Sequence, residues 1–142
     1  MNISIFGIGY VGAVSLACLA RDGHTVIGVD IDASKLELIR LGHSPIVEDG
    51  MQDLMADVVG SGRVDVTQDV TFAVHHTDIS FLCVGTPCRP NGSQDLRALE
   101  RLSAQLGTAM ATKQRYHVFV VRSTVIPGRR ADHHPPPPEA FR

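Results

Sequence analysis

Residues 2–30, NISIFGIGYVGAVSLACLARDGHTVIGVD, constrain the fold of this chain more than any other stretch. An apolar run from Ile3 to Phe6 breaks on Gly7, Gly9 and Gly12, passes into small residues at helical spacing, and reaches a second apolar run ending in Asp30. The order is strand, tight turn, helix, strand. Gly7 permits the turn, Gly9 has no Cβ to block a pyrophosphate, and Gly12 lets the helix pack closely on the strand. The helix start, around Tyr10 and Val11, then offers unpaired N–H groups and the positive end of the helix dipole to phosphates. Asp30, at the tip of the second strand, can accept hydrogen bonds from both hydroxyls of an adenine ribose, and its charge repels a 2′-phosphate. The pattern therefore predicts a dinucleotide site that takes NAD rather than NADP, in an α/β domain of Rossmann type with a doubly wound, mostly parallel sheet.

A chain of 142 residues is enough for a single domain, and 44% hydrophobic with 20% charged residues supplies a core. The net charge of −2 gives no general attraction to nucleic acid or anionic lipid. The first apolar run is too short for a signal segment or a membrane span, so neither membrane nor nucleic acid is expected as a partner and the expected compartment is the cytoplasm. Three cysteines without CxxC spacing argue against a disulfide framework and against a zinc site. No metal is expected.

After Gly12 the helix runs to a stop at Gly23, with Cys18 on its inward side as a small apolar residue. Asp32 is placed to cap a helix from Ala33 to Leu41, ended by Gly42. Lys35 lies in the first turn of that helix, against the dipole, where it serves equally well as a surface charge or as a group aimed at the cofactor beside Asp30. HSPIVEDG, residues 43–50, reads as a loop, followed by a helix near Met51 to Val59, a short strand at Arg63 to Thr67 and a helix at Asp69 to His76. His75 and His76 read as surface residues at a helix end. Asp78 to Val84 is an apolar run suited to a central parallel strand buried on both faces. It ends in Gly85-Thr86-Pro87, which borders the same crevice as the glycine turn, so Thr86 is a cofactor candidate. Cys83 reads as core and Cys88 as an exposed loop thiol. Leu96, Leu99, Leu102, Leu106 and Met110 form the apolar stripe of a helix from about Asp95 to Lys113. His117 to Val121 is the last strand, and the loop from Arg122 to Gly128 again sets hydroxyls, Thr124 among them, at a strand's C-terminal end. From Arg129 the sequence RRADHHPPPPEAFR lacks periodicity, and its four consecutive prolines predict an extended or disordered tail over 129–142.

Taken together, the glycine turn, Asp30, Lys35, the SPIVE segment, the Gly85-Thr86-Pro87 turn and the Ser123-Thr124-Val125 to Pro127-Gly128 turn resemble the N-terminal NAD-binding domain of the UDP-glucose/GDP-mannose dehydrogenase family. The resemblance covers residues 1–128, and GYVGAV with SPIVE leans toward the GDP-mannose branch. It implies an enzyme that oxidises the C6 alcohol of a nucleotide sugar to a carboxylate, passing two hydrides to two NAD molecules through a cysteine-bound intermediate. The positions matching the family's NAD contacts are Tyr10, Val11, Asp30, Lys35, Thr86 and Thr124. None of Cys18, Cys83 and Cys88 matches the family's nucleophile, so no catalytic residue is expected within these 142 residues. The resemblance further implies substrate domains beyond this sequence, a homo-oligomeric full-length relative, and a tail like the out-of-frame end of a truncated reading frame. Other readings of the same glycine turn are a regulatory NAD-binding module of the potassium-transport type and the N-terminal half of a hydroxyacid dehydrogenase. The first supplies no reason for the Gly85-Thr86-Pro87 and Ser123 to Gly128 loops, and the second does not share the Gly85-Thr86-Pro87 loop. A non-catalytic fragment that assembles with a full-length relative is a further alternative.

Overall fold

The structure is a computed structural model and describes residues 1–125. Its elements run β1 (Asn2–Phe6), α1 (Tyr10–Arg21), β2 (Thr25–Val29), α2 (Ala33–Arg40), α3 (Met51–Gly60), β3 (Val64–Thr67), α4 (Val70–His75), β4 (Ile79–Leu82), α5 (Arg97–Thr112) and β5 (Val118–Val121). The five strands form one sheet in the order β3-β2-β1-β4-β5, and every pairing is parallel. Chain direction reverses between β1 and β4, which makes the C-terminal ends of those two strands the switch point where a ligand crevice opens.

Alternation along β1 and β2 divides the core into two layers. Ile3, Ile5 and Val26 face α1, α2 and α3, burying Leu16, Leu36, Ile39 and Met55. Phe6, Ile27 and Val29 face the opposite way, toward α4 and α5, burying Val74, Leu99, Leu102 and Leu106. The leucine stripe read from the sequence is thus the inner face of α5, with Met110 at its edge.

Helix ends follow the local chemistry. Asp32 accepts from the Ser34 N–H at 2.9 Å and Asp69 from the Phe72 N–H at 2.9 Å, each capping a helix start. Gly23 adopts φ +97° just past α1, the left-handed turn that a side chain resists.

Two expectations need correction. β4 is shorter than the apolar run containing it and is buried on one face only, because Leu82 packs with α4 and α5 and Ser80 meets Ser4 and His117, while Ile79 and Phe81 are half-covered at the edge of the α1 layer. Cys18 is likewise half-exposed rather than inward, since the buried face of α1 is taken by Ala13, Leu16, Ala17 and Ala20. Ile126 to Gly128 and the 129–142 tail lie outside the described residues.

Candidate functional site

The crevice is built from the β1–α1 turn outward. Gly7 has φ +91°, and a Cβ there would stand 2.9 Å from the Val84 nitrogen, so both conformation and space demand glycine. Its N–H donates to the Val29 carbonyl at 2.8 Å, which lashes the turn to the end of β2. At Gly12 a Cβ would overlap the Gly7 carbonyl oxygen. The close approach is therefore between helix and turn, with the strand side chain Ile5 one layer further away at 3.6 Å. Gly9 differs from both. Among the described residues a Cβ there would meet nothing within 4 Å, so the missing side chain leaves open space above the start of α1.

Gly9 is the N-cap of α1 and offers no side chain to it, and the first backbone bond of the helix is Ala13 N–H to Gly9 carbonyl at 2.9 Å. Among the described residues, the N–H groups of Tyr10, Val11 and Gly12 have no acceptor. Three unpaired donors and the helix dipole thus point into the space that Gly9 keeps open. That is the donor set an anionic pyrophosphate requires.

Asp30 follows β2 and closes the same opening. Its Oδ2 accepts the Ile8 N–H at 2.7 Å and its Oδ1 accepts the Asp32 N–H at 2.9 Å, while its side chain is only 9% exposed. The carboxylate therefore ties the glycine turn to the β2–α2 turn, and each oxygen keeps a lone pair for a further donor. Lys35 Nζ stands 3.9 Å from Oδ2, beside the carboxylate rather than in free solvent. Tyr10 is mostly exposed, and its hydroxyl donates to Glu48 Oε2 at 2.6 Å, linking α1 to the SPIVE segment. That hydrogen bond, reinforced by the Glu48 charge, raises the phenol's pKa above its ordinary value. Val11 is exposed at the crevice lip.

On the other side, the loops after β4 and β5 are bound to each other. Thr86 Oγ1 donates to the Thr124 carbonyl at 2.8 Å, and Ser123 Oγ donates to the Val84 carbonyl at 2.6 Å. The Thr86 hydroxyl gives its single proton to Thr124, so toward a ligand that oxygen can act only as an acceptor.

Two features were not found in the sequence. Gly28, in mid-strand, faces α1: a Cβ there would lie 2.8 Å from Leu16 Cδ1 and 3.3 Å from Ile8 Cδ1, so its absence lets α1 settle on the sheet. A glycine inside an apolar strand run was the available signal. His117, read as the start of a strand, is buried and joins a polar chain through the core. Lys113 Nζ lies 2.8 Å from His117 Nδ1, His117 Nε2 lies 2.7 Å from Ser80 Oγ, and Ser80 Oγ lies 2.6 Å from Ser4 Oγ. Ser4 continues to Thr77 Oγ1 at 3.0 Å, and Thr77 donates to the Ala73 carbonyl at 2.7 Å.

Burial pushes the Cys83 thiol up, against a smaller opposing effect of Arg122, and a raised thiol is a poor thiolate. Among the described residues no group of three or more His, Cys, Asp or Glu could hold a metal ion, and no helix is long and apolar enough to cross a membrane.

An all-parallel doubly wound sheet, a glycine turn under an open helix start and an acid at the end of β2 define a dinucleotide-binding Rossmann domain. Comparison with known proteins narrows the class. Residues 1–135 match the NAD binding domain of the UDP-glucose/GDP-mannose dehydrogenase family, and the chain belongs to that family. It is 52% identical over 128 residues to GDP-mannose 6-dehydrogenase of Azotobacter vinelandii, covering 90% of this chain and 29% of that protein. Among solved structures, a ternary complex of GDP-mannose dehydrogenase from Pseudomonas aeruginosa superposes with a TM-score of 0.91 at 48% identity, over 93% of this chain and 30% of the other. A UDP-glucose dehydrogenase from Pyrobaculum islandicum superposes with a TM-score of 0.85 at 39% identity, over 89% of this chain and 29% of the other. The chain spans about 29% of the length of the curated relatives it matches. Its cofactor is NAD. The matched region includes the loops around Thr86 and Thr124, which the regulatory-module reading left without a reason and the first of which the hydroxyacid reading does not share.

Proposed function

We propose that this chain is the cofactor-holding part of a nucleotide-sugar 6-dehydrogenase acting on GDP-mannose. The observation that carries the site is the Asp30 carboxylate, fixed by the Ile8 and Asp32 N–H groups at the edge of a helix start whose own N–H groups have no acceptor among the described residues. NAD, when bound, supplies a hydride acceptor for oxidation of an alcohol carbon. The protein's part is to hold it. Gly7, Gly9 and Gly12 shape the floor, and Tyr10 and Val11 present N–H groups to the pyrophosphate. Asp30 accepts from the adenine ribose with Lys35 beside it, while Thr86 and Thr124 line the opposite loops.

The preference for GDP-mannose draws support from the similarity to GDP-mannose 6-dehydrogenases, at 52% and 49% identity. Oxidation to the carboxylate calls for a thiolate to hold the intermediate, and burial pushes the Cys83 thiol away from that form. In our reading, residues 1–128 bind NAD as a unit, residues 129–142 lie outside that unit, and the sugar chemistry belongs to further domains. Assembly as a homo-oligomer and a cytoplasmic setting complete the proposal.

Calorimetric titration of the 142-residue chain with NAD and NADP, alongside Asp30→Ala, tests it. Saturable NAD binding, weaker NADP binding and a loss of at least about tenfold in the variant are expected, as for removal of a charged hydrogen-bond partner. Equal affinity for the two dinucleotides would remove Asp30 from its assigned place. Turnover of GDP-mannose by this chain alone would defeat the assignment of chemistry to other domains.

A further inference from the structure

We propose that Gln94 is a positioning residue for Thr124 and through it sets the affinity of the crevice for NAD. The inference rests on the proposed reading of Thr124 as a cofactor contact. The Thr124 carbonyl receives two side-chain donors, Thr86 Oγ1 at 2.8 Å and Gln94 Nε2 at 3.1 Å. They come from the two ends of the loop joining β4 to α5, so both lone pairs of one carbonyl are held by one loop. The loop is itself braced: the Asp95 N–H donates to the Pro87 carbonyl at 2.7 Å, the Arg89 N–H to the Ser93 carbonyl at 2.7 Å, and Cys88 and Gln94 form an antiparallel bridge.

Regular strand pairing of β5 ends at Val121, with one more backbone bond from the Arg122 N–H to the Leu82 carbonyl at 2.9 Å. Beyond that point, Thr124 is located by side chains. Two donors on its carbonyl fix the plane of the following peptide, and with it the direction in which the exposed Thr124 side chain leaves the loop. The other end of the Gln94 amide supports this role. Its Oε1 is buried and has no hydrogen-bond partner among the described residues. Reversing the amide would relieve nothing, because it would set that oxygen against the Thr124 carbonyl. An unpaired buried oxygen is unfavourable for folding alone, and it is tolerated here where the amide's other end grips a site residue.

The test is NAD titration and thermal unfolding of the 142-residue chain as wild type, Gln94→Leu and Gln94→Glu. Gln94→Leu removes the donor together with the unpaired oxygen, so the unfolding midpoint is expected to hold or rise while NAD affinity falls about five- to twentyfold. Gln94→Glu sets a carboxylate against the Thr124 carbonyl and weakens binding at pH 8, and on acidification its protonated form regains a donor, so its affinity relative to wild type recovers toward pH 5. A purely structural residue would show neither the split between stability and affinity nor the pH-dependent rescue. Wild-type affinity in Gln94→Leu overturns this inference alone. Failure of the wild-type chain to bind NAD overturns it together with the proposed site.

Discussion

The two polar constellations of this sheet lie at opposite ends of the same strands and treat their hydrogen bonds in opposite ways. Toward the N-terminal side, Lys113, His117, Ser80, Ser4 and Thr77 form a chain in which each group meets the next and the last proton rests on the Ala73 carbonyl. Lys113 Nζ faces His117 Nδ1, which also lies 3.1 Å from the Thr77 carbonyl, while Nε2 faces Ser80. Lys113 Nζ donates to the Val74 and Thr77 carbonyls, both at 2.6 Å. At the C-terminal ends, the donors of Tyr10, Val11 and Gly12 have no partner among the described residues, and Gly9 keeps the space above them clear. The first constellation is complete within the fold, and the second is completed by a ligand. Buried groups left unpaired destabilise, whereas exposed helix-end donors can wait for an anion.

The largest expected effect breaks the ligand end. Gly12→Val drives a side chain into the Gly7 carbonyl, and we expect loss of NAD binding with at least about 3 kcal/mol of destabilisation, read as a fall of roughly 10 °C or more in the unfolding midpoint. Gly9→Ala sharpens the contrast, since its Cβ meets only open space: stability should change by less than about 1 kcal/mol while NAD affinity drops.

Ser80→Ala attacks the other constellation. It strands His117 Nε2 and leaves Ser4 Oγ with Thr77, which should cost about 1–3 kcal/mol in chemical denaturation and leave the NAD dissociation constant within about twofold of wild type. An equal loss of affinity would show that the two ends are coupled.

Acidification probes the same chain more gently. Burial, and then the nearby Lys113 charge, lower the His117 pKa, against smaller opposing effects of the Thr77 carbonyl and Asp78. The unfolded state then binds the proton more readily than the folded one, so the stability that His117 contributes is present above its ordinary value of about 6.5 and is lost as pH falls through the lower folded value. Lys113 and Asp78 are the charged groups whose effects reach it. His117→Gln should flatten this dependence in pH-resolved denaturation, and an unchanged slope would assign the acid sensitivity elsewhere.

The smallest effect belongs to Lys35→Met. A partly exposed cation 3.9 Å from Asp30 contributes about 0.5 kcal/mol, so NAD affinity should change about twofold, and less at high salt.

Much of the ligand end was legible in residues 2–30 because it depends on local chemistry. A glycine at φ +91°, a helix start without a side-chain cap and an acid at a strand end are each written within a few residues. The closed end was not legible. Ser4 and Ser80 look like minor interruptions of apolar runs, and His117 and Lys113 like the first residue of a strand and the last of a helix, until parallel pairing sets Ser4 opposite Ser80 and brings β5 alongside. The double grip on Thr124 was hidden for the same reason, since Gln94 lies 30 residues away in a loop without periodicity.

The α/β class, the glycine turn, the acid that closes it and the cap of α2 could be read from residue type, because turn, cap and amphipathic period are short-range consequences of it. Tertiary structure alone decided which polar groups are committed and which remain free. Hydrogen-bond partners 34 to 76 residues apart, such as His75 with Ala109 and Ser4 with Ser80, meet only when strands and helices pack. Whether a donor is satisfied inside the protein or left for a ligand is a property of that packing.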